Sequence, residues 1–234
     1  MGKLPPRFKL YHIYSFLSKT FHIFAAKFHS HNQLRKKFAK TNRINMDIKE
    51  IVNKNNGFLR TKELSRRNQW YQLNKLILTG EVVKLKKGLY CMPQYGIIEQ
   101  NREVAEIIPS GVFCLFSAWQ HHNLTTANPS EYHIAIKREE KISIPDYPPV
   151  KLYRWSEKFY NLGIIQHDAI KIYDLEKSVC DAVRFRNKIG MDITIEVVKN
   201  YVKNTTQRNF DKLTKYARQM KIENVIQTII MPMI

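Results

Sequence analysis

The sequence predicts an α+β fold: an N-terminal winged helix-turn-helix, then a mixed α/β domain with a helical C-terminal end. Three observations carry this. A short amphipathic segment, residues 66–79, runs into Gly80 and then into residues 80–90, which alternate like a two-stranded hairpin with Lys86, Lys87 and Gly88 at its tip. A helix, a glycine stop and a hairpin with a basic tip is the order of elements in a winged helix. After Pro93, helix-like and strand-like segments mix without regular βαβ alternation.

Taken in chain order, Ile48, Ile51 and Val52 stand at helical spacing within residues 46–54, and Asn55-Asn56-Gly57 is a helix stop. Thr61 is suited to cap a second short helix over residues 62–65. In the third helix, residues 67–79, Leu73, Leu76 and Ile77 face the core, with Gln69 and Trp70 nearly on that side. The opposite side carries Asn68, Tyr71 and Lys75, flanked by Arg67 and Asn74, a polar and basic face. Residues 99–108 and 112–121 read as helices, residues 132–136 and 150–155 as strands, and residues 163–173 as a third β region. Asp174 caps a long helix, Leu175–Ile189, which Gly190 stops. Two further helices, residues 194–203 and 209–220, and a short apolar tail complete the chain.

Charge divides along the same line. The net charge of +19 is distributed as +10 in residues 1–45, +6 in residues 46–95 and +3 in residues 96–234. A basic module joined to a near-neutral body fits nucleic-acid reading by one part and another task for the rest. Residues 1–45, aromatic, basic and free of acids, read as an interfacial helix, a presequence, or the product of translation upstream of a true start at Met46. The lack of caps and of a helical stripe suits the last best. Three separated cysteines and no Cys-x-x-Cys pair indicate neither a disulfide framework nor a structural zinc site, as in a reducing, cytoplasmic setting. No apolar run reaches the length of a membrane span.

Other constellations are weaker. His121, His122, His133 and His167 lack the spacing of a metal site, and no metal or cofactor is expected. Glu139-Glu140-Lys141 has the Glu-x-Lys spacing of magnesium nucleases but lacks an upstream acid on a neighbouring element. No phosphate-cradling glycine loop or Gly-x-Ser-x-Gly elbow is present, and with 8 glycines in the chain a loop-built cofactor site is not expected. On Leu175–Ile189, Val179, Ala182 and Val183 mark the buried side. Lys177, Asp181, Arg184 and Lys188 form a stripe that reads as a solvated ion-pair ladder.

Residues 57–64 (Gly-Phe-Leu-Arg-Thr-Lys-Glu-Leu) and 80–90 resemble the winged helix of AbiEi-type antitoxins of type IV toxin-antitoxin systems. Residues 114–118 (Cys-Leu-Phe-Ser-Ala), His121 and Leu124-Thr125 are similar to that family's next block. Residues 173–190 resemble its most recognisable segment, with Leu175-Glu176 where members often have Ser-Pro. The resemblance spans residues 46–234 in order and leaves residues 1–45 without a counterpart.

It implies a protein that is not an enzyme but an autorepressor of its own promoter, in double-stranded DNA, whose C-terminal domain antagonises a nucleotidyltransferase-like toxin directly or through the toxin's target. The candidate DNA contacts are Arg60, Thr61, Arg67, Asn68, Tyr71, Asn74, Lys75, Lys86 and Lys87. The candidate antitoxin residues are Lys177, Asp181, Arg184, Arg186, Asn187 and Lys188, and changes at Asp181 or Arg184 are expected to spare the fold. A winged-helix regulator with a ligand-binding or dimerising C-terminal domain is the alternative. A nuclease using Glu139 and Lys141 is a third reading.

Overall fold

The structure is a computed structural model that describes residues 47–94, 100–204 and 206–233. The basic extension, residues 1–45, lies outside them. The chain is mixed α and β with a helical C-terminal end.

The first elements are α1 (Ile48–Lys54), β1 (Phe58–Arg60), a 3-10 turn (Thr61–Glu63), α2 (Arg67–Leu78), β2 (Val83–Lys86) and β3 (Leu89–Cys91). Asp47 caps α1 by accepting from the Ile48 amide at 2.8 Å, and the stop at Asn55-Asn56-Gly57 leaves Gly57 at φ 90°. The predicted helix over 62–65 is only the 3-10 turn, and Thr61 does not cap it. Instead the Glu63 carboxylate accepts from the Arg60 amide at 3.0 Å and the Asn55 side chain at 3.0 Å. The strands form an antiparallel sheet in the order β1-β3-β2. Ile48, Ile51, Val52, Leu59, Leu73, Leu76, Val82 and Met92 fill the core beneath it.

The rest is built on a five-stranded sheet in the order β6-β5-β4-β8-β7, comprising β4 (Val112–Phe113), β5 (Tyr132–Lys137), β6 (Val150–Trp155), β7 (Ile164–His167) and β8 (Ile170–Tyr173). Neighbours β5/β6 and β4/β8 are parallel, and the other two pairs are antiparallel. Residues 112–121, predicted as one helix, divide into the central strand β4 and α4 (Leu115–His121). Val112 and Phe113 pair with Ala135 and Ile134, and so apolar a stretch shows no period that separates strand from helix.

The sheet is covered on both faces. Phe113, Ile134, Ile136 and Ile172 pack with α3 (Gln100–Ile107), and Leu89 of the first unit joins that cluster. Val112, Ala135, Trp155 and Tyr173 meet α6 (Leu175–Ile189), α7 (Met191–Lys203), α8 (Phe210–Gln219) and α9 (Glu223–Ile230). The last of these is the apolar tail of the sequence reading. It is helical because Ile226 and Ile230 recur at i, i+4 and both are buried. A four-residue helix, α5 (Glu157–Tyr160), follows β6. No helix among the described residues is long and apolar enough to cross a membrane.

His133 belongs to this core. Its Nδ1 shares a 2.9 Å hydrogen bond with Tyr153 Oη, its ring stacks on Tyr153, and burial lowers its pKa to about 4. The unfolded chain therefore takes up this proton first as pH falls from about 6.5, and the contribution to stability is lost as pH drops toward 4. We predict that His133→Gln flattens the decline in melting temperature over that interval. An unchanged acid limb would contradict it.

Candidate functional site

Two sets of predicted residues occupy different places. On α2, Arg67, Asn68, Tyr71, Asn74 and Lys75 are all exposed, and Tyr71 keeps 72% of its surface open to solvent. Beneath them the buried Gln69 fixes the start of the helix, its side-chain oxygen accepting from the Ser65 amide at 2.9 Å and the Arg66 amide at 3.2 Å. The polar face read from the sequence is therefore a continuous outer surface of one anchored helix.

The hairpin beside it is arranged differently from the expectation at two positions. Lys86 turns back and donates to the Ile107 carbonyl at the end of α3, and burial lowers its pKa. Arg60 likewise pairs with Glu106 at 2.6 Å and donates to the Glu106 carbonyl at 3.0 Å. Both side chains tie the first unit to α3. Lys87, at the turn, and Lys84, which the sequence reading passed over, present the exposed charges of the hairpin. Thr61 is held near the turn: its amide donates to the Gly88 carbonyl at 2.9 Å, and a side chain at Gly88 (φ 81°) would meet its hydroxyl at 3.1 Å. The hairpin turn is thereby braced, with glycine required at its tip.

The second set corrects the sequence reading. Lys177 and Asp181 do not form a solvated ladder; their side chains are 0% and 1% exposed. Lys177 Nζ donates to both Asp181 carboxylate oxygens at 2.6 and 2.8 Å and lies 3.9 Å from the Trp155 ring centre and 4.3 Å from that of Tyr173. Burial raises the Asp181 pKa to about 6 and lowers that of Lys177. The cause is the position of α6. Every residue from Leu175 to Val183 is buried, because the sheet lies on one side and α7 and α8 on the others. Arg184, Asn187 and Lys188 emerge one turn later and are exposed, while Arg186 is half-buried and donates to the Val183 carbonyl at 3.0 Å.

The pair forms the floor of a cavity of about 150 Å³ whose walls include Trp155, Phe159 and Phe185. Arg184 lies over the Phe159 ring at 4.5 Å. Residues Arg138 and Arg154 also line the cavity, and sequence spacing gave no sign of them because they come from just after β5 and from β6. Glu139 and Lys141 stand in the turn after β5, with Glu139 exposed and Glu140 accepting from Ser110. His121 and His167 come into ring contact at 4.4 Å, yet the described residues contain no group of His, Cys, Asp and Glu placed to hold a metal.

No protein-family model matches this chain, and no curated protein matches it.

Proposed function

We propose that the chain is an antitoxin of a type IV toxin-antitoxin system and a cytoplasmic repressor of its own promoter. In this reading residues 46–95 are a winged helix-turn-helix and residues 96–234 an AbiEi-like domain that antagonises a nucleotidyltransferase-like toxin. The observation that carries the DNA-binding half is the outer face of α2. Five polar or basic side chains are exposed together on a helix whose opposite side is anchored in a core, beside a hairpin bearing Lys84 and Lys87. Such a helix suits the major groove, with the hairpin along the phosphates. The antitoxin half rests on the resemblance of residues 173–190, and its exposed residues, Arg184, Asn187 and Lys188, are the ones positioned to meet a partner.

Fluorescence anisotropy with the duplex upstream of the chain's own gene and with a scrambled duplex tests the DNA-binding half. We predict tighter binding to the upstream duplex, with log K falling linearly in log salt. Lys87→Ala should weaken binding to both duplexes and reduce the salt slope by about one. Equal affinity for the two duplexes would contradict a promoter-specific repressor.

A further inference from the structure

We propose that the cavity between the β2/β3 hairpin and α3 is a binding site for a small organic cation, an amidinium or guanidinium group carried on an apolar body. The carboxylate of Glu103 is the first reason. Glu103 is 7% exposed and lines a cavity of about 410 Å³, yet it has no hydrogen bond or ion pair among the described residues. It stands one turn before Ile107 on the buried side of α3, the side that packs with Leu89 and Leu85 of the hairpin. Burial raises its pKa, and no neighbouring cation lowers it. A carboxylate taken out of water with nothing in return destabilises the fold. In a cleft, such a group is completed by a ligand that brings the missing charge.

The surroundings of Glu103 offer it no partner. Val83 pairs with Cys91 across the hairpin, and both line the cavity together with Leu85 and Pro148. Lys84 also borders it. As the partner of Tyr90, however, Lys84 alternates onto the other face of the hairpin, away from Glu103. The Cys91 thiol is pushed up to about 11 by burial and by the Glu103 charge, so it remains a neutral wall. Among the described residues no group of His, Cys, Asp and Glu is placed to hold a metal here. Gln100 is held at the start of α3, its side-chain oxygen accepting from Tyr132 Oη at 3.0 Å.

Size and lining narrow the class. Pockets for small organic ligands occupy about 300–1,000 Å³, and at about 410 Å³ this one falls within that range. Both oxygens of Glu103 are open to accept, which matches the two parallel N–H bonds of an amidinium or guanidinium better than a single ammonium. The apolar walls suit the body that carries the cation. Tyr147, 67% exposed, adds an aromatic surface on which a planar body packs. None of the lining residues belongs to the outer face of α2 or to α6, so the proposal depends neither on DNA reading nor on toxin antagonism.

The test is calorimetric titration of the full chain with benzamidine, with benzamide as its neutral counterpart of the same shape, and with benzoate as the anionic one. Benzamidine is expected to saturate a single site and to bind about tenfold or more tightly than either counterpart. Non-specific attraction to a chain of net charge +19 would give the reverse order, with benzoate ahead. Glu103→Gln should weaken benzamidine about tenfold or more, the loss of a charged hydrogen bond. Its melting temperature should equal or exceed wild type, because an unpaired buried charge has been removed. Tyr147→Ala should weaken benzamidine about threefold and leave the melting temperature unchanged. Absence of single-site saturation, equal binding of benzamide or benzoate, or wild-type affinity in Glu103→Gln would each overturn the proposal. So would a marked fall in melting temperature for Glu103→Gln, which would show that the carboxylate is a structural group with a partner of its own.

Discussion

Asp181→Ala is expected to destabilise the protein by about 3–5 kcal/mol, the usual cost of removing one member of a buried ion pair. The ammonium of Lys177 is then left 0% exposed between two aromatic rings with no carboxylate. It must either lose its proton or open the packing around α6. Lys177→Met leaves the opposite problem, with a difference in pH dependence. Burial already holds the Asp181 carboxyl near 6, and losing the cation raises it further, so protonation relieves the stranded charge in acid. The destabilisation by Lys177→Met should therefore be smaller at pH 5 than at pH 8. Replacing both residues, as Lys177→Met with Asp181→Leu, should cost less than the sum of the single changes. Urea unfolding at the two pH values checks all three statements. A loss of under about 1 kcal/mol for Asp181→Ala would mean that the pair is solvated. The consequence for function is direct: loss of activity in Asp181→Ala would report a damaged fold, whereas Arg184→Ala probes the surface.

Arg67→Ala is expected to cost about 1–3 kcal/mol in binding to the upstream duplex and to relax preference at one base position. Arg67 is exposed in the first turn of α2, and recognition helices present their N-terminal residues to base edges. A guanidinium that meets a base edge contributes little on the wrong sequence, so binding to the scrambled duplex should fall much less. Competition binding with single-base variants of the site measures this. An equal loss on all duplexes would place Arg67 on phosphate instead, and no loss at all would remove α2 as the reading element.

The parts legible in the sequence were those where local chemistry decides the structure. The ends of α6 follow from the Asp174 cap, whose side chain accepts from the Lys177 amide at 2.8 Å, and from Gly190 at φ 95°. The outer face of α2 followed from helical period alone, because that helix has one buried side. Period failed on α6 for the opposite reason. A hydrophobic stripe predicts the side facing one neighbour, but α6 has neighbours on several sides, and Lys177 is covered by Trp155 and Tyr173 from separate strands. The cavity over Lys177 and Asp181 was likewise invisible, since residues of β6 and of the turn after β5 line it together with α6 only after the sheet has formed. Lys86 was read as a hairpin-tip charge because its partner, the Ile107 carbonyl, belongs to another helix and leaves no mark on local pattern.

The central claim is that this chain restrains a toxin, and growth of cells tests it most directly. The chain is placed under a promoter unrelated to its own, which removes repression from the outcome, and is co-expressed with the product of the adjacent gene, which the antitoxin reading expects to be nucleotidyltransferase-like. Restored growth with the wild-type chain, and equally with Arg67→Ala, is the predicted result. Continued growth arrest with a wild-type chain that is folded and abundant would contradict the antitoxin assignment.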